Sequence, residues 1–274
     1  MYQRLLLTLI PLSFVLHAFD VDPRIVFVVS LSAIVPLIEF MGIATERLSK
    51  RLGSVVGGLL NSTLSNAPEL IIGIVALRNG LGRVVKASLT GSIMVNLLVG
   101  LGCALVVGAL KYGVHSFDRR QFRSSGLMLV MCGFCFIVPA VFRIGTPQGT
   151  RDLSLELSAI LLVIYVGNVL ISLFSSQHHV EDATPILNDG KESYSALRSL
   201  AVLGLSGVML AFVSESVTES LIPATRVMGF SDTFSGIVLL GGVGGIGEVL
   251  TAVRFARQGK QELVMAATVG STIQ

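Results

Sequence analysis

The chain has 274 residues, of which 52% are hydrophobic and only 14% are charged, and its mean hydropathy is +0.80. Soluble domains carry about 25% charged residues, so this composition excludes an ordinary soluble protein and predicts an all-α polytopic membrane protein. The net charge of +3 comes from basic residues in short turns between apolar runs. Such placement is typical of topology determinants and argues against a nucleic-acid partner.

The chain begins with two apolar runs. The first, Leu5 to Phe19, lacks a good cleavage site at its end, so we interpret it as a leading transmembrane helix within residues 1–23 rather than as a secretory signal. The second, Ile25 to Met41, carries Glu39, which we interpret as an interfacial charge near the end of the span.

The third run, about Ser54 to Leu77, contains a carboxylate with no paired basic residue, Glu69, in the sequence Asn-Ala-Pro-Glu. A carboxylate is costly in hydrocarbon, so it normally faces the interior of a bundle and serves a pathway. Pro68 has no N–H and leaves a backbone carbonyl free beside the Asn66 amide and the Glu69 carboxylate. We therefore expect three hard oxygen ligands to converge here.

The fourth run, about Val84 to Leu110, has polar residues at helical spacing. Ser88, Ser92 and Asn96 recur every four residues and so share one face of a helix. Such a face can hold helices together by hydrogen bonds. Next to the Glu69 helix, a role in lining the site is the favoured interpretation.

The middle of the chain carries fewer site candidates. Runs five and six, about Ser124 to Phe142 and Leu155 to Phe174, have no ionisable residue well inside them and are predicted to be scaffold. Residues 175–196 are polar and mildly acidic. Their adjacent histidines lack a fixed-spacing ligand set, which favours a solvated linker over a metal site. The first half then occupies residues 24–174.

The seventh run, about Leu197 to Val213, is predicted to end at wet or interfacial residues, Glu215 and Glu219. The eighth, about Thr233 to Ala256, contains five glycines just before Glu248. Glycine at that density permits close helix approach and local unwinding, where free carbonyls can meet an ion. A ninth run follows in the same half.

The two halves are related by an offset of 179 positions, which puts Glu69 on Glu248. The other identities at this offset are Arg78 with Arg257, Gly80 with Gly259, Ala87 with Ala266, Gly91 with Gly270, and Ser92 with Ser271. Transporters that bind ions at the membrane midplane are often built from two such repeats. The second repeat is expected within residues 197–274.

The distribution of basic residues predicts the topology. Counted on alternating sides of the predicted spans, 13 of the 20 Lys and Arg residues fall on the side of the N-terminus and 7 on the other. The N-terminus and the linker are therefore predicted to be cytoplasmic. The Glu69 helix then runs out of the cytoplasm and the Glu248 helix runs into it, so the repeats are inverted. We expect a prokaryotic plasma membrane, with a eukaryotic vacuolar membrane as the alternative.

These residues resemble the calcium/proton exchanger family of the cation/calcium exchanger superfamily. The matching motifs are Gly57 to Asn61, Asn66 to Ile72, Ala87 to Ile93, Asn96 to Leu98, and Leu101 to Gly102. The resemblance implies an inverted-repeat exchanger fold of eleven helices, one leading helix and two five-helix halves joined by an acidic cytoplasmic linker. It also implies that Glu69 and Glu248 bind the cation. The polar helpers that it implies are Asn66, Ser92, Asn96, Ser271 and Gln274.

The second motif departs from the family pattern. Gly244-Gly245-Ile246-Gly247-Glu248 replaces the usual Gly-Asn-Ala-x-Glu, so the amide of the second site is missing at Gly245. Smaller departures are Ser65, where the family usually has glycine, and Val249, where histidine is common. We expect water to replace the amide and calcium binding to be weaker, with improvement in Gly245→Asn.

Together these features predict a secondary active antiporter that exchanges calcium, or a similar divalent cation, for protons. Calcium takes six to eight oxygen ligands and two carboxylates neutralise it, whereas without the ion two facing carboxylates favour their protonated forms. Protons and the cation then compete for the same oxygens. We expect calcium and protons as substrates, membrane lipid as the surroundings, no cofactor, and no enzymatic activity. The alternatives are a passive cation channel and a transport-incompetent membrane protein whose glutamates merely bond between helices.

The repeat also predicts how long a complete second half would be. The 179-residue offset moves Phe174, at the end of the first half, to a position near 353, beyond Gln274. The second inverted half is therefore expected to be incomplete in this chain. A fragment is the favoured interpretation, and the alternative is a truncated product that needs a partner to supply the missing helices.

Overall fold

The structure is a computed structural model. It describes residues 8–19, 21–51, 63–113, 119–141, 147–175 and 196–273. Within these ranges all regular structure is helical and no strand occurs, which confirms the predicted all-α class.

The helices follow the predicted runs in chain order. Before the linker they are α1 (Leu9–Ala18), α2 (Pro23–Arg51), α3 (Ala67–Arg78), α4 (Gly82–Tyr112), α5 (Arg119–Val141) and α6 (Pro147–Ser175). After it they are α7 (Ala196–Val227), α8 (Asp232–Gly244), α9 (Ile246–Arg257) and α10 (residues 261–273). Helices α5 and α6 lie at the two predicted scaffold spans.

In the part of the chain that the structure describes, three helices are long and apolar enough to cross a membrane. They are the Pro23–Ser49 part of α2, all of α4, and α7. Helices α8 and α9 meet at a bend of 47° and together can form a fourth, broken span. Since a crossing needs about 20 predominantly apolar residues, the structure agrees with a polytopic membrane protein.

Two apolar clusters lie among the described helices. Helix α2 lies along α7, and their contact buries Phe27, Ile34, Leu210 and Leu221 almost completely. A second apolar cluster joins α4, α9 and α10. The first cluster also includes Ile72 of α3, Val84 of α4 and Leu240 of α8, whereas the second consists mainly of alanines around Phe255 and Val264.

Helices α4 and α8 cross at very close range because glycines line the crossing. A Cβ at Gly91 of α4 would lie 2.1 Å from the carbonyl oxygen of Ile237 in α8. Likewise, a Cβ at Gly241 would lie 2.8 Å from the Cα of Gly91. Only a residue without a side chain permits this approach, which fixes where the two helices meet.

Among the described residues, three helices contain a π-helical segment. The segments are Val95–Gly100 in α4, Ser235–Leu240 in α8 and Ala266–Gly270 in α10. Such segments are rare and occur frequently at functional sites, since they rotate the side chains that follow.

The predicted end of the seventh span is wrong. Helix α7 continues beyond Val213 to Val227, so Glu215 and Glu219 lie inside the helix and not after it. The polar sequence is accommodated in two ways. Buried serine and threonine hydroxyls donate to backbone carbonyls one turn earlier, while the two glutamates lie on the exposed face. Hydropathy alone therefore predicts the end of this helix too early in the chain.

Other boundaries also differ from the predictions or lie outside the description. Helix α2 continues past Met41 to Arg51, which leaves Glu39 well inside it. The leading helix α1 is described from Leu9, and residues 1–7 and 176–195 lie outside the described ranges. The domain boundaries, the cytoplasmic linker and the incomplete second half stay predictions.

Candidate functional site

The first site glutamate lies at a helix start inside the third predicted run. Asn66 is the residue before α3, Pro68 is in its first turn, and the N–H of Leu70 donates to the carbonyl of Asn66 at 3.1 Å. Proline is common in the first turn of a helix, because the N–H that it lacks would have no helical partner there. Glu69 is therefore held in the first turn, where the positive end of the helix dipole stabilises a carboxylate.

The second glutamate lies at an equivalent helix start. Gly245 separates α8 from α9, and Glu248 is in the first turn of α9. The bounds of α3 and α9 coincide at the 179-residue offset, and both helices end before a glycine with positive φ, 75° at Gly80 and 74° at Gly259. The predicted repeat is thus visible in the backbone itself.

The two helix starts face each other across the repeats. A Cβ at Gly244 would lie 3.6 Å from Cγ and 3.8 Å from Oε1 of Glu69, so the first carboxylate reaches the break in the second half. Glu248 lies in the first helical turn after this break. The fold therefore brings together two acids that are 179 positions apart.

Asn96 completes this arrangement from a third helix. It belongs to the π segment of α4 and is only 4% exposed. Its Oδ1 atom would lie 3.1 Å from a Cβ at Gly245, and Cγ1 of Val95 would lie 3.0 Å from the same Cβ. The space that a side chain at position 245 would need is thus occupied by Val95 and by the Asn96 amide.

Three oxygens of this cluster have no hydrogen-bond donor. Oε2 of Glu69, Oε2 of Glu248 and Oδ1 of Asn96 are buried and accept no bond from the residues that the structure describes. A buried polar atom without a partner is unfavourable by roughly 1–3 kcal/mol, so such atoms are rare unless water or an ion meets them. Carboxylate and amide oxygens are the ligand types that a hard cation prefers.

The other predicted site residues lie on three different helices or outside the description. Asn66 precedes α3 and makes no side-chain cap bond. Ser92 lies one turn before Asn96 and is partly buried, whereas the Ser88 hydroxyl donates to the Val85 carbonyl. Ser271 follows the π segment of α10, which contacts the π segment of α4. Gln274 lies outside the described residues.

The acidic content of the site is small. In the part of the chain that the structure describes, no group of three or more His, Cys, Asp or Glu comes together. A cation held by Glu69 and Glu248 would therefore draw its remaining ligands from amide, hydroxyl and carbonyl oxygens or from water.

Comparisons with known proteins agree with this architecture. The family described as "Sodium/calcium exchanger protein" matches residues 24–174 and 198–274. The chain belongs to this family. The chain is 32% identical over 269 residues to the Ca(2+)/H(+) antiporter ChaA of Bacillus subtilis, covering 97% of this chain and 77% of the relative. It is also 29% identical over 280 residues to the vacuolar calcium ion transporter of Schizosaccharomyces pombe, covering 100% of this chain and 68% of the relative. These relatives identify the exchanger as a calcium/proton exchanger family member.

Solved structures support the inverted-repeat exchanger fold. The structure of native YfkE matches with a TM-score of 0.83 at 30% identity, covering 100% of this chain and 78% of that one. The crystal structure of the H+/Ca2+ exchanger CAX matches with a TM-score of 0.78 at 16% identity, covering 99% and 70%. The second likeness concerns the fold alone.

Proposed function

We propose that the exchanger moves calcium, or a similar divalent cation, in one direction and protons in the other, and that Glu69 and Glu248 bind both in turn. The observation that carries this proposal is the set of three buried oxygens without donors, supplied by Glu69, Glu248 and Asn96. It accords with the transport named for the relatives in Bacillus subtilis and Schizosaccharomyces pombe.

Charge neutralisation explains why the two substrates compete. Two carboxylates with buried oxygens are unfavourable when both are charged and unpaired, because each loses hydration and each repels the other. One divalent cation neutralises both charges by binding between the carboxylates, and protons neutralise them by converting the carboxylates to carboxylic acids. Since the same Oε atoms take either substrate, the site holds the cation or protons but not both.

The broken helices supply the remaining ligands. Helix α3 starts anew at Ala67 and α9 at Ile246, so backbone groups near both breaks are not committed to a continuous helical ladder. Irregular backbone at membrane depth is tolerated where it lines a cavity, and discontinuous helices are the usual place of ion sites in inverted-repeat transporters. The Asn96 amide and nearby hydroxyls add neutral oxygens.

Cation and proton transport are coupled if the site switches its access from one side of the membrane to the other only when its two charges are neutralised. An unneutralised pair of carboxylates resists transfer through the low-dielectric core, whereas the cation-bound and proton-bound forms move. Each cycle then carries cation one way and protons the other, so a proton gradient drives cation transport.

The test is transport by the purified exchanger in sealed liposomes with an imposed pH gradient. Glu69→Gln and Glu248→Gln keep the side-chain shape but remove one neutralising charge each. We expect each to reduce proton-driven uptake of labelled calcium to background. The matched control is Glu262→Gln, an exposed glutamate in the first turn of α10, which should transport like the unmodified protein.

The alternative functions predict different outcomes. A passive channel would pass calcium without moving protons, which a pH-sensitive dye inside the liposomes detects. A transport-incompetent protein would neither transport nor bind calcium in a titration of the detergent-solubilised exchanger. Full proton-coupled uptake by either glutamine variant would refute the two-carboxylate mechanism.

A further inference from the structure

The second part of α4 runs alongside α9 in the same direction. At the start of α9, Cγ1 of Val95 lies 3.0 Å from the position of a Cβ at Gly245. Further along, Cγ2 of Val249 lies 3.5 Å from the position of a Cβ at Gly100. The two helices also end side by side. Because the residue numbers of both helices rise together along the contact, α4 and α9 are parallel neighbours from the candidate site to their last turns.

The ends of the two helices are joined by two hydrogen bonds to one oxygen atom. Nζ of Lys111 donates to the carbonyl oxygen of Arg257 at 2.7 Å, and the hydroxyl of Tyr112 donates to the same oxygen at 2.9 Å. The last carbonyls of an α-helix have no partner within the helix, and a cation beside them also interacts favourably with the helix dipole. We call these two donors and their acceptor the α9 clamp.

The turn that follows α9 does not itself require the α9 clamp. The turns after α9 and after α3 are closed by the same backbone hydrogen bonds, donated by Gly259 and Gly80 and by the residue that follows each glycine. Among the described residues, no side chain donates to the carbonyl of Arg78, the counterpart of Arg257 in the repeat. The α9 clamp is therefore an addition in the second half rather than a requirement of the turn.

The contact between the α9 clamp and the candidate site is made largely of small residues. Ala104 of α4 and Ala252 and Ala256 of α9 are fully buried in the apolar cluster that joins these helices. Small residues let two helix backbones approach closely, but their ridges are shallow, so they resist sliding along the helix axis less than interdigitated large side chains do. The axial register of α9 against α4 therefore depends on the contacts at the two ends of the pair.

A change in that register reaches the candidate site. Glu248 lies nine positions before Arg257 in the continuous helix α9, a distance of about 14 Å at 1.5 Å per residue. Because the hydrogen-bonded turns of a helix keep the rise per residue constant, an axial shift at one end of α9 appears at the other end. Asn96 belongs to α4 and does not share this shift. Sliding α9 against α4 therefore alters the distance from the Glu248 carboxylate to the Asn96 amide oxygen.

We propose that Lys111 and Tyr112 are positioning residues for calcium binding. By holding the Arg257 carbonyl, they set the distance between Asn96 and Glu248. This inference rests on the proposed exchange function and deepens it by naming what fixes the geometry of the cation site. Neither side chain touches the cation, since both lie at the far end of α9 from Glu248.

The α9 clamp acts on the cation and not on the protons. Calcium must contact oxygens of several helices at once, at roughly 2.3–2.6 Å from each, so its binding depends on the register of α9 against α4. A proton binds to one carboxylate at a time and needs no fixed distance to the Asn96 amide. Loss of the α9 clamp should therefore weaken calcium binding and leave proton binding unchanged.

The experiment measures proton-driven uptake of labelled calcium into liposomes by the purified exchanger, over a range of calcium concentrations and of pH on the uptake side. Tyr112→Phe removes the hydroxyl and keeps the ring, and Lys111→Met removes the ammonium and keeps an unbranched side chain. Since one hydrogen bond contributes modestly, we expect the apparent KM for calcium to rise about threefold in each variant and about tenfold in the double variant. The kcat and the pH midpoint of proton inhibition, measured at calcium far below KM, should stay unchanged.

A binding measurement and control variants separate positioning from other effects. Calcium titration of the detergent-solubilised exchanger should show Kd values that rise by the same factors as KM. Lys111→Arg keeps a donor and should stay close to the unmodified protein. Lys86→Met removes an exposed lysine near the other end of α4, and Tyr165→Phe removes a hydroxyl from α6; both should leave KM unchanged. Loss of a positive surface charge by itself attracts calcium and lowers KM, so the rise expected in Lys111→Met has the opposite sign.

The outcomes distinguish this inference from the exchange function. If the unmodified protein couples calcium to protons but Tyr112→Phe and Lys111→Met leave KM unchanged, the positioning role is refuted and the function stands. A fall in kcat at constant KM, or a parallel change in the calcium KM and the proton midpoint, also refutes it, because either result indicates a general disturbance of the protein. Absence of proton-coupled calcium movement in the unmodified protein would refute the proposed function itself, and this inference with it.

Discussion

Replacing Gly91 by alanine should force apart the helices that bring the two halves of the site together. The new methyl carbon would lie 2.1 Å from the carbonyl oxygen of Ile237 and 2.7 Å from its Cα. Both neighbours are backbone atoms of α8, so no side chain can turn away to make room. Ordinary van der Waals contact requires about 3.5 Å, and α4 and α8 must therefore separate by roughly 1 Å at their crossing.

The expected loss of stability follows from this overlap. Overpacking a close-packed interior typically destabilises by about 1–3 kcal/mol. A backbone clash belongs at the upper end, so we expect about 3 kcal/mol and a fall in Tm of roughly 5–10 °C. The site should suffer as well, because Asn96 lies five positions after Gly91 and Gly245 lies four positions after Gly241, the other glycine at the crossing. We expect calcium transport to fall by about tenfold.

The assay is thermal unfolding of the detergent-solubilised exchanger, together with calcium transport in liposomes at a temperature well below the Tm. Gly102→Ala is the matched control, since it lies in the same helix and a Cβ there meets nothing within 4 Å. Alanine is favoured over glycine in a helix by up to about 1 kcal/mol, so Gly102→Ala should be neutral or slightly stabilising.

A single outcome would refute the reasoning. If Gly91→Ala unfolds and transports like Gly102→Ala, the helices do not cross at Gly91 as the structure has them.

The remaining predictions concern other glycines. The sequence predicts tighter calcium binding in Gly245→Asn, but a Cβ there meets Val95 at 3.0 Å and the Asn96 amide at 3.1 Å. We therefore expect Gly245→Asn to improve the calcium affinity only together with Val95→Ala, as measured by calcium titration in detergent. Gly80→Ala imposes a positive φ of 75° on a residue with a side chain, in open space, and should lower the unfolding free energy by about 1–2 kcal/mol. Gly259→Ala imposes a positive φ of 74° in the same way and should lower the thermal stability by a similar amount, since its Cβ would only make ordinary contact with the ring of Tyr112 at 3.4 Å.

Much of the architecture could be predicted because it depends on local sequence. Apolar runs without charges form membrane helices wherever they occur, and Pro68 favours a helix start by its own chemistry. Local unwinding in the glycine-rich stretch before Glu248 is predicted in this way, whereas the helix start at Ala67, inside the predicted run from about Ser54 to Leu77, is not. The end of α7 is not predicted either, because the burial of its serine and threonine hydroxyls and the exposure of Glu215 depend on which helices pack against it.

In the candidate site, too, some features could be predicted from the sequence and others depended on the tertiary structure. The sequence alone is enough to predict the 179-residue repeat, the residue types of the site and the two glutamates. An uncompensated carboxylate in an apolar run is costly wherever it lies, so it can be recognised without the structure. The tertiary structure alone decided that Asn96 turns its amide oxygen toward Gly245, and that Glu39, interpreted from the sequence as an interfacial charge, meets Arg254. Contacts between residues so far apart in the chain depend on the angle and depth at which whole helices pack, and no local pattern encodes that packing.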